Sequence, residues 1–439
     1  MIIKNATVIS PRESIKTDVF FSEKTGRIEA IAQDVDKRGE EVIDAEGMLL
    51  LPGGVDMHVH FRDPGFTQKE DFFTGTRAAI AGGITTVCDM PNTKPPTDTL
   101  NALTAKKATA AGRAACDYLL FFGANSKNLD KLRQVQESGG VAGAKVFMGP
   151  TTAAEASFPQ KIFSSFSGLV AVHAEDEQMV AKNEEAAGKS IGNEATTYIH
   201  NKVRPPKAAE KAVAEAIAAA EASGGRLHVC HASTQAELAL IEAAKRRGVK
   251  VTCEVTPHHL FFNEEDAAAR GNILKVNPPL RSEQDRQALW KAIADGIVDC
   301  VASDHAPHLL EEKNKNYWRA PSGVPGVETT FPLLLDAALQ EKISLNGVVE
   351  LLCANPAQIL GLEGKKGAVA RGADADLVLV DPQKTWQLKS SLLYTKCAWT
   401  PYEGKILKGK IISVFSRGKQ AFDGRNVIAK EGTGRPADQ

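Results

Sequence analysis

Histidines at the end of an apolar run are the first residues in this chain that could do chemistry. His58 and His60 close the run that begins at Leu49, and the turn sequence Arg62-Asp63-Pro64-Gly65 follows directly after Phe61. Alternate side chains of a β-strand point to the same face, so the two imidazoles would lie side by side at a strand end. Neutral imidazole is the commonest protein metal ligand. Taken alone, however, the pair fits one surface histidine and one hydrogen-bonded core histidine better than a metal site.

Later apolar runs also carry polar residues at their ends. Lys145 lies in the fourth run, His173 ends the fifth, His231 ends the sixth, and Asp304 with His305 ends the eighth. In barrels of alternating strands and helices, catalytic groups stand at the C-terminal ends of the strands. A ring of histidines with an aspartate therefore predicts nitrogen and oxygen ligands for zinc or a similar divalent ion.

Lys145 differs from the other residues of this ring. It lies within the apolar stretch Gly143 to Phe147, where an unpaired ammonium group would be costly. The lysine could extend its amine out of the strand end, or it could pair with an acid. Alternatively, its amine has reacted with carbon dioxide, and the resulting carbamate bridges two metal ions about 3.5–4 Å apart.

The remaining histidines are predicted to have no direct role. His200 lies in a polar stretch and is expected to face solvent, and His228 begins a strand and should point away from its catalytic end. His258 and His259 are expected to pack or to cap a helix. His305 should point to the opposite face from its aspartate neighbour and, at most, support a ligand.

Length and composition indicate a globular protein. The chain has 439 residues, 43% of them hydrophobic, and a formal net charge of -1. Near-neutral charge gives no electrostatic case for nucleic acid or an anionic membrane as a partner. No apolar run is long enough to span a bilayer, the N-terminus lacks the layout of a signal peptide, and the seven cysteines form no CxxC pair. We therefore expect a cytoplasmic protein with buried, reduced thiols.

The alternation of apolar runs and helical stretches predicts an α/β fold. Eight strand-length runs alternate with helices, of which Pro206–Ser223, Thr234–Arg247 and Glu283–Asp295 are the clearest. This pattern favours a (β/α)₈ TIM barrel over residues 51–365, because a doubly wound sheet would carry a glycine fingerprint that is missing here.

The sequence pattern of the two flanking segments predicts short strands. Residues 1–50 and 366–439 are predicted to pack together as one small β-sandwich, with a hairpin at Lys24-Thr25-Gly26. The last ten residues read as a frayed tail. The charged segment Leu309–Pro321 lies between site elements and is predicted to be a mobile loop over the mouth of the site.

Several motifs together resemble those of the cyclic amidohydrolases, and within them most closely those of dihydroorotases. They are HVHFRDPG, DMPNT, GAKVFMG, VHAED, CHAS, NPPLR, SDHAPH and GVPGVETTFPLL, in this order between about residues 50 and 365. The segment ADADLVLVD also resembles the start of the C-terminal sandwich segment of that superfamily. The resemblance implies a barrel with two zinc ions.

Carried over position by position, the resemblance implies a full set of ligands. The two metal ions would be held and bridged, together with a hydroxide, by His58, His60, carboxylated Lys145, His173, His231 and Asp304. Some bacterial dihydroorotases bridge through an aspartate, whereas this chain has the lysine that hydantoinases and allantoinases use. The bridging residue therefore does not separate the relatives.

Arg62 is the residue that would distinguish a dihydroorotase from a hydantoinase or an allantoinase. Dihydroorotate and carbamoyl aspartate carry a free carboxylate, which arginine binds with a planar fork of donors, whereas hydantoins and allantoin lack it. A salt bridge from Arg62 to Asp63 or Glu70 is the competing explanation. The other substrate contacts implied by the resemblance are Asn92, Asn277, His308, Ser322 and Gly323.

The resemblance implies the reversible cyclisation of N-carbamoyl-L-aspartate to L-dihydroorotate and water in pyrimidine biosynthesis. A metal-bridging hydroxide would attack in the hydrolytic direction, with Asp304 as general base and then general acid. The alternatives are an allantoinase or a hydantoinase of the dihydropyrimidinase type, and, more distantly, an inactive amidohydrolase-like scaffold. A homodimer is compatible with the sequence, which does not specify an oligomeric state.

Overall fold

A computed structural model describes residues 1–35, 39–148 and 159–439 of the chain. The last glycine of the GAKVFMG motif, Gly149, lies outside these ranges. The strands are β1 (Ile2–Ile9), β2 (Ser14–Ser22), β3 (Arg27–Ala32), β4 (Val42–Asp44), β5 (Leu49–Pro52), β6 (Gly54–Val59), β7 (Ile84–Asp89), β8 (Asp117–Gly123), β9 (Val141–Phe147), β10 (Leu169–His173), β11 (Arg226–Val229), β12 (Val251–Val255), β13 (Cys300–Val301), β14 (Leu377–Gln387), β15 (Ile406–Ser416) and β16 (Lys419–Phe422).

Strands β6 to β13 form a parallel barrel in which each strand pairs with the next along the chain. The first and last strands meet through a parallel bridge between Val59 and His305. There, the backbone N–H of His60 donates to the carbonyl of His305 over 2.8 Å. The predicted (β/α)₈ barrel is thus confirmed, and its closure brings the first-strand histidines beside the residues that follow the eighth strand.

Helices alternate with these strands and begin at recognisable caps. Thr234 caps α8 (Gln235–Arg246) by accepting from Glu237 N, and the Glu237 side chain accepts in turn from the backbone of Thr234. The three helices predicted most clearly are present, with Pro206–Ser223 exact at both ends. The α-helices are α1 (Phe72–Ala81), α2 (Leu100–Arg113), α3 (Leu132–Glu137), α4 (Pro159–Ser165), α5 (Glu177–Ile191), α6 (His200–Val203), α7 (Pro206–Ser223), α8 (Gln235–Arg246), α9 (Pro257–Phe261), α10 (Glu264–Arg270), α11 (Glu283–Ala294), α12 (Leu310–Lys313), α13 (Thr330–Leu339), α14 (Leu345–Val349) and α15 (Asn355–Ile359).

Strands from both ends of the chain form a second, separate sheet. Its order is β16-β15-β14-β5-β1-β2-β3, with β4 also paired to β1. Phe21 of β2 and Phe415 of β15 pack edge to face in its core, with ring centroids 5.1 Å apart. The small β domain predicted from the two chain ends is therefore present, and the predicted hairpin joins β2 to β3.

The apolar run from Leu49 to His60 is two strands rather than one. Strand β5 pairs with β14 in the terminal sheet, whereas β6 pairs with β7 in the barrel. Gly53 lies between them, where a Cβ atom would stand 2.2 Å from Thr85 Oγ1. A division of the chain at residues 51 and 365 remains a prediction, and β5 spans the first of these boundaries.

The C-terminal tail is not frayed, contrary to the prediction. Tyr118 N donates to Arg435 O, and Ala437 N donates to Tyr118 O, both over 2.9 Å. Tyr118 lies at the start of β8, so the tail is bonded to the end of the barrel opposite the strand C-termini.

All seven cysteines are buried and unpaired, as predicted for reduced thiols. Among the described residues, no helix combines the length and the apolar character that crossing a membrane requires.

Candidate metal centre

A cavity of about 370 Å³ opens at the C-terminal ends of the barrel strands. All twelve residues predicted for the site contribute to its wall, namely His58, His60, Arg62, Asn92, Lys145, His173, His231, Asn277, Asp304, His308, Ser322 and Gly323. Residues that are far apart in sequence therefore converge at one barrel rim. They could form a single site only if they lay this close together.

One group of donors joins the first and last strands of the barrel. His58 Nε2 lies 3.3 Å and His60 Nε2 lies 3.0 Å from Asp304 Oδ1. Ligands 2.0–2.1 Å from a tetrahedral zinc ion are about 3.3 Å apart, so this spacing fits a divalent ion. All three side chains are buried. The group is therefore one candidate ligand set.

A second group lies beside it. His173 Nδ1 and His231 Nε2 are 2.9 Å apart, and the His231 ring centroid is 5.4 Å from that of His58. Two converging imidazole nitrogens can share one ion as readily as they share a hydrogen bond. The two groups are therefore neighbours, as two adjacent ions would require.

Lys145 lies in β9 and is completely buried. Its Nζ atom is 2.7 Å from Cys230 Sγ, and no carboxylate in the described ranges comes within 4.0 Å of it. Neither extension into solvent nor an acid partner explains this lysine. Burying a charged amine without an anionic partner is costly, so the environment fits a chemically modified side chain.

Three residues of the site have a left-handed backbone conformation. Arg62 has φ 63°, His231 has φ 38° and Asp304 has φ 43°. For residues other than glycine this conformation costs on the order of 1–3 kcal/mol each and is concentrated at functional sites. All three lie at strand ends, where the strained backbone aims their side chains into the cavity.

Burial keeps most of the imidazoles neutral. It lowers the pKa of His60 to about 4 and also lowers that of His173. Burial alone would lower the pKa of His58 too, but the carboxylates of Glu254 and Asp304 raise it to about 10. Burial would raise the pKa of Asp304, yet His58 and His60 hold it well below its usual range. At neutral pH, His60 and His173 are thus neutral imidazoles and Asp304 is an anion, whereas the carboxylates around His58 keep a proton on its ring.

Arg62 and His308 form a polar wall of the cavity. Arg62 Nη2 is 3.1 Å from His308 Nε2, and Arg62 Nε donates to Pro307 O over 3.2 Å. The competing salt bridge to Asp63 is absent, since that carboxylate pairs with Arg113 Nη1 at 2.9 Å. No ion pair joins Arg62 to Glu70 either, so the positive charge of the guanidinium group remains available to a ligand anion.

Asn92 is oriented by the first donor group. Its Oδ1 accepts from His60 Nδ1 over 2.6 Å, which leaves its amide N–H₂ as a donor. Asn277 Oδ1 lies 3.1 Å from His200 Nε2. At Gly323, with φ 133°, a Cβ atom would stand 2.6 Å from Ala306 O. Only glycine fits this part of the wall.

A sequence profile described as the amidohydrolase family matches residues 49–421. The chain belongs to the amidohydrolase family. Family membership and the two donor groups indicate a hydrolase with a metal cofactor. The match includes the whole barrel and most of the C-terminal strands.

Other amidohydrolases resemble the chain over nearly its full length. It is 38% identical to a dihydroorotase of Methanosarcina acetivorans, across 94% of this chain and 90% of that protein. It is 40% identical to a dihydroorotase of Halobacterium salinarum, across 92% and 94% of the two chains. Among solved structures, the L-hydantoinase (dihydropyrimidinase) of Arthrobacter aurescens superimposes with a TM-score of 0.94 and 29% identity, across 99% of this chain and 98% of that one.

The prediction for His200 is wrong. His200 is buried rather than solvent-facing, with Nδ1 2.8 Å from Tyr317 Oη and Nε2 2.8 Å from Val276 O. The segment Leu309–Pro321 lies at the mouth, as predicted, and contains α12, and its mobility remains a prediction. Lys313 in this segment is buried and donates to the carbonyls of Lys275, Pro321 and Gly323.

His258, His259 and His305 are buried. His259 Nδ1 bonds to Thr256 Oγ1 over 2.7 Å at the start of α9. His305 Nδ1 accepts from Gly326 N over 3.1 Å.

Sequence reasoning missed two buried carboxylates below the cavity. Glu175 Oε2 is 3.0 Å from His173 Nε2 and also pairs with Arg204. Glu254 contacts His58 Nδ1 and lies 3.0 Å from His228 Nε2. In the sequence, Glu254 lies within an apolar run and Glu175 just after one. This position indicates burial, but it does not show which histidine each carboxylate contacts.

Proposed function

We propose that the chain is a dihydroorotase, which interconverts N-carbamoyl-L-aspartate and L-dihydroorotate plus water. The observation that carries the proposal is the position of Arg62. Its guanidinium group lies in the same cavity as both donor groups, beside His308. A substrate with a carboxylate next to its reacting amide could place the amide at the donor groups and the carboxylate at Arg62. The dihydroorotase relatives support the same choice.

The proposed cofactor is a pair of zinc ions. His58, His60 and Asp304 would hold one ion, His173 and His231 the other, and Lys145 as a carbamate would bridge them. The burial of Lys145 without a carboxylate partner supports this modification. When bound, two divalent ions lower the pKa of a shared water molecule and polarise the substrate carbonyl.

Asp304 is the proposed general base and general acid. Its Oδ1 is held by His58 and His60, which leaves Oδ2 to move a proton. In hydrolysis, the carboxylate takes the proton of the attacking water and returns it to the departing ring nitrogen. In synthesis, it removes a proton from the ureido nitrogen, which attacks the carbon of the side-chain carboxylate. Asp304 then passes that proton to the oxygen whose bond to carbon breaks, and this oxygen leaves as hydroxide, which becomes water on protonation by solvent.

The cavity wall would orient the substrate for this transfer. Arg62, the amide N–H₂ of Asn92 and His308 would bind the free carboxylate, and Asn277 with the backbone at Ser322 and Gly323 would face the ring amides. Gly323 N donates to Lys275 O and Gly323 O accepts from Lys313 Nζ, both over 2.9 Å, so this backbone is held in place at the cavity wall. When the substrate is held in this orientation, its reaction with the catalytic groups becomes effectively unimolecular, which lowers the entropic part of the barrier.

A hydantoinase or dihydropyrimidinase is the second candidate. The structural agreement with the L-hydantoinase of Arthrobacter aurescens favours it, with a TM-score of 0.94. Those substrates lack the carboxylate that Arg62 would bind, so we rank this candidate below the first.

We also propose that the protein is cytoplasmic and consists of two domains. The barrel would be residues 51–365, and the small β-sandwich would combine residues 1–50 with 366–439. The sequence is compatible with a homodimer.

Parallel assays of the purified zinc-loaded protein with dihydroorotate, hydantoin and allantoin test the proposal. We expect turnover of dihydroorotate, and of carbamoyl aspartate in reverse, at the highest kcat/KM. Preference for an uncharged ring would refute the dihydroorotase assignment in favour of the second candidate. Failure of the purified protein to retain added zinc, together with no turnover of any of the three substrates, would instead indicate an inactive scaffold.

A further inference from the structure

His308 lies in the cavity wall between two side chains that can only donate hydrogen bonds. Arg62 Nη2 is 3.1 Å from its Nε2, and Lys69 Nζ is 3.1 Å from its Nδ1. Guanidinium and ammonium groups carry N–H donors and no acceptor. Burial and the neighbouring positive charges, of which Arg62 and Lys69 are the largest, hold the pKa of His308 well below its usual range. The ring is therefore neutral, and with one proton for two nitrogens it can accept from only one of these cations.

The hydrogen bonds around the His308 ring favour a proton on Nε2. With the proton there, Nδ1 accepts from Lys69, and Nε2 donates to Ser322 O over 3.1 Å. With the proton on Nδ1, Nε2 accepts from Arg62, but Lys69 then faces another donor and Ser322 O loses this one. The first arrangement makes two hydrogen bonds and the second makes one. Lys69 therefore determines that the nitrogen facing Arg62 carries the proton.

We infer that Lys69 is a positioning residue for the free carboxylate of the substrate. By keeping the proton on Nε2, it makes His308 and Arg62 two donors that converge on the same space. An oxygen about 2.9 Å from each nitrogen could accept from both. Lys69 is not part of the cavity wall, so it would act through His308. The inference rests on the proposed function, in which this wall binds the carboxylate of dihydroorotate.

The position of Lys69 is set from both sides of the cavity mouth. Its backbone N–H donates to Phe66 O over 2.9 Å, within the segment between β6 and α1. Its Nζ atom also pairs with Glu312 Oε1 at 2.9 Å, on α12. Glu312 is fixed in turn, because its Oε2 accepts from Leu309 N over 3.0 Å. The ammonium group is thus held in place against His308.

Lys69→Met removes the ammonium group and keeps a side chain of similar length. We expect the KM for dihydroorotate to rise about 10-fold, as for the loss of one hydrogen bond to a charged group, with a smaller change in kcat. In the His308→Ala background, adding Lys69→Met should change KM by less than about twofold, because a residue that acts through His308 has no further effect without that ring. An equal rise in both backgrounds would overturn the inference, since general electrostatic attraction does not require His308.

Two controls separate this role from the loss of any charge or ion pair nearby. Lys396 Nζ pairs with Asp71, two residues from Lys69 along the chain, so Lys396→Met removes a positive charge from the same segment. Glu312→Gln removes the ion pair of Lys69 but leaves the ammonium group beside His308. Both variants should keep KM within about twofold of the unsubstituted protein. A rise in either control as large as that in Lys69→Met would overturn the inference.

Nitrogen-15 NMR of the zinc-loaded, full-length protein measures the His308 tautomer without substrate. In histidine-labelled protein, the two ring nitrogens are assigned by their absence from the spectrum of His308→Gln. We expect a protonated Nε2 and an unprotonated Nδ1. In Lys69→Met the two shifts should move toward each other, because Ser322 O and Arg62 then favour opposite tautomers. A proton on Nδ1 in the unsubstituted protein would contradict the proposed role of Lys69.

The two measurements distinguish failure of this inference from failure of the proposed function. If the proton on Nε2 depends on Lys69 but dihydroorotate is not turned over, the proposed function fails, while the role of Lys69 in fixing the His308 tautomer stands. If dihydroorotate is turned over and its KM is unchanged in Lys69→Met, the proposed function stands and the inference fails.

Discussion

His60 Nε2 lies 3.0 Å from Asp304 Oδ1, although 244 positions separate the two residues in the chain. The first and eighth strands are brought together by the bridge between Val59 and His305, which closes the barrel. Closure therefore places a candidate metal ligand and the proposed proton carrier in contact. An aspartate so placed can complete a ligand set with one oxygen and move a proton with the other.

Replacing Asp304 with Asn should remove turnover while leaving substrate affinity largely intact. The amide cannot accept the proton of the attacking water, and general acid–base catalysis contributes about 10²- to 10⁴-fold to rate. Steady-state kinetics and calorimetric binding of dihydroorotate check this result, and metal content must be measured in parallel. Asp336→Asn is the control, because this buried aspartate bonds to Lys408 N, outside the cavity. Substantial residual turnover in Asp304→Asn would refute the proposed role.

Lys145→Gln should reduce bound metal to below one ion per chain. A glutamine cannot form a carbamate, so it cannot supply the negative bridge that two ions need. Metal analysis and intact mass under non-acidic conditions measure both consequences, and the unsubstituted chain should be heavier by one carbon dioxide. Lys106→Gln is the matched control, since that buried lysine pairs with Asp89. Full metal content in Lys145→Gln would contradict the bridge.

Arg62→Ala should raise the KM for dihydroorotate with a smaller effect on kcat. Hydrogen bonds to charged groups are worth about 1.5–3 kcal/mol, which corresponds to roughly 10- to 150-fold in KM. Arg113→Ala is the control, because Arg113 pairs with Asp63 and does not line the cavity. An unchanged KM in Arg62→Ala would remove the argument for a carboxylate substrate.

The barrel and its ring of polar strand ends could be predicted because both follow from local patterns. Continuous apolar runs alternating with helices define the strands, and the catalytic ends of parallel strands share one rim. His173 ends β10 and His231 follows β11, so both were placed by counting along the chain. The apolar run through Leu51 was misread as one strand because nothing local marks that its two halves join different sheets.

Contacts that depend on distant residues could not be predicted. His200 reads as polar surface, yet it is buried against Tyr317, which lies 117 positions away. The tail from Lys430 reads as loose, yet Arg435 O accepts from Tyr118 N on the barrel. Glu254 reads as an isolated acid in a strand, because its partner His58 is 196 positions away. Sequence pattern specifies which residues are buried or exposed within one element, not which element they meet.

Glu328 should make the protein less stable as the pH rises from 6 to 8. Burial raises the pKa of this carboxyl from 4.5 to about 8, although hydrogen bonds from Tyr394 N and Thr395 N oppose the shift. The folded state therefore binds the proton between these two pH values while the unfolded chain releases it, so folding stability falls through that window by roughly 2 kcal/mol from pH 6 to 8. Glu328→Gln keeps an acceptor for both backbone donors and cannot ionise, so its stability relative to the unsubstituted protein should increase over the same range. Urea unfolding at several pH values measures the difference, with the exposed Glu311→Gln as the control. A difference that does not change with pH would show that Glu328 titrates alike in the folded and unfolded chain.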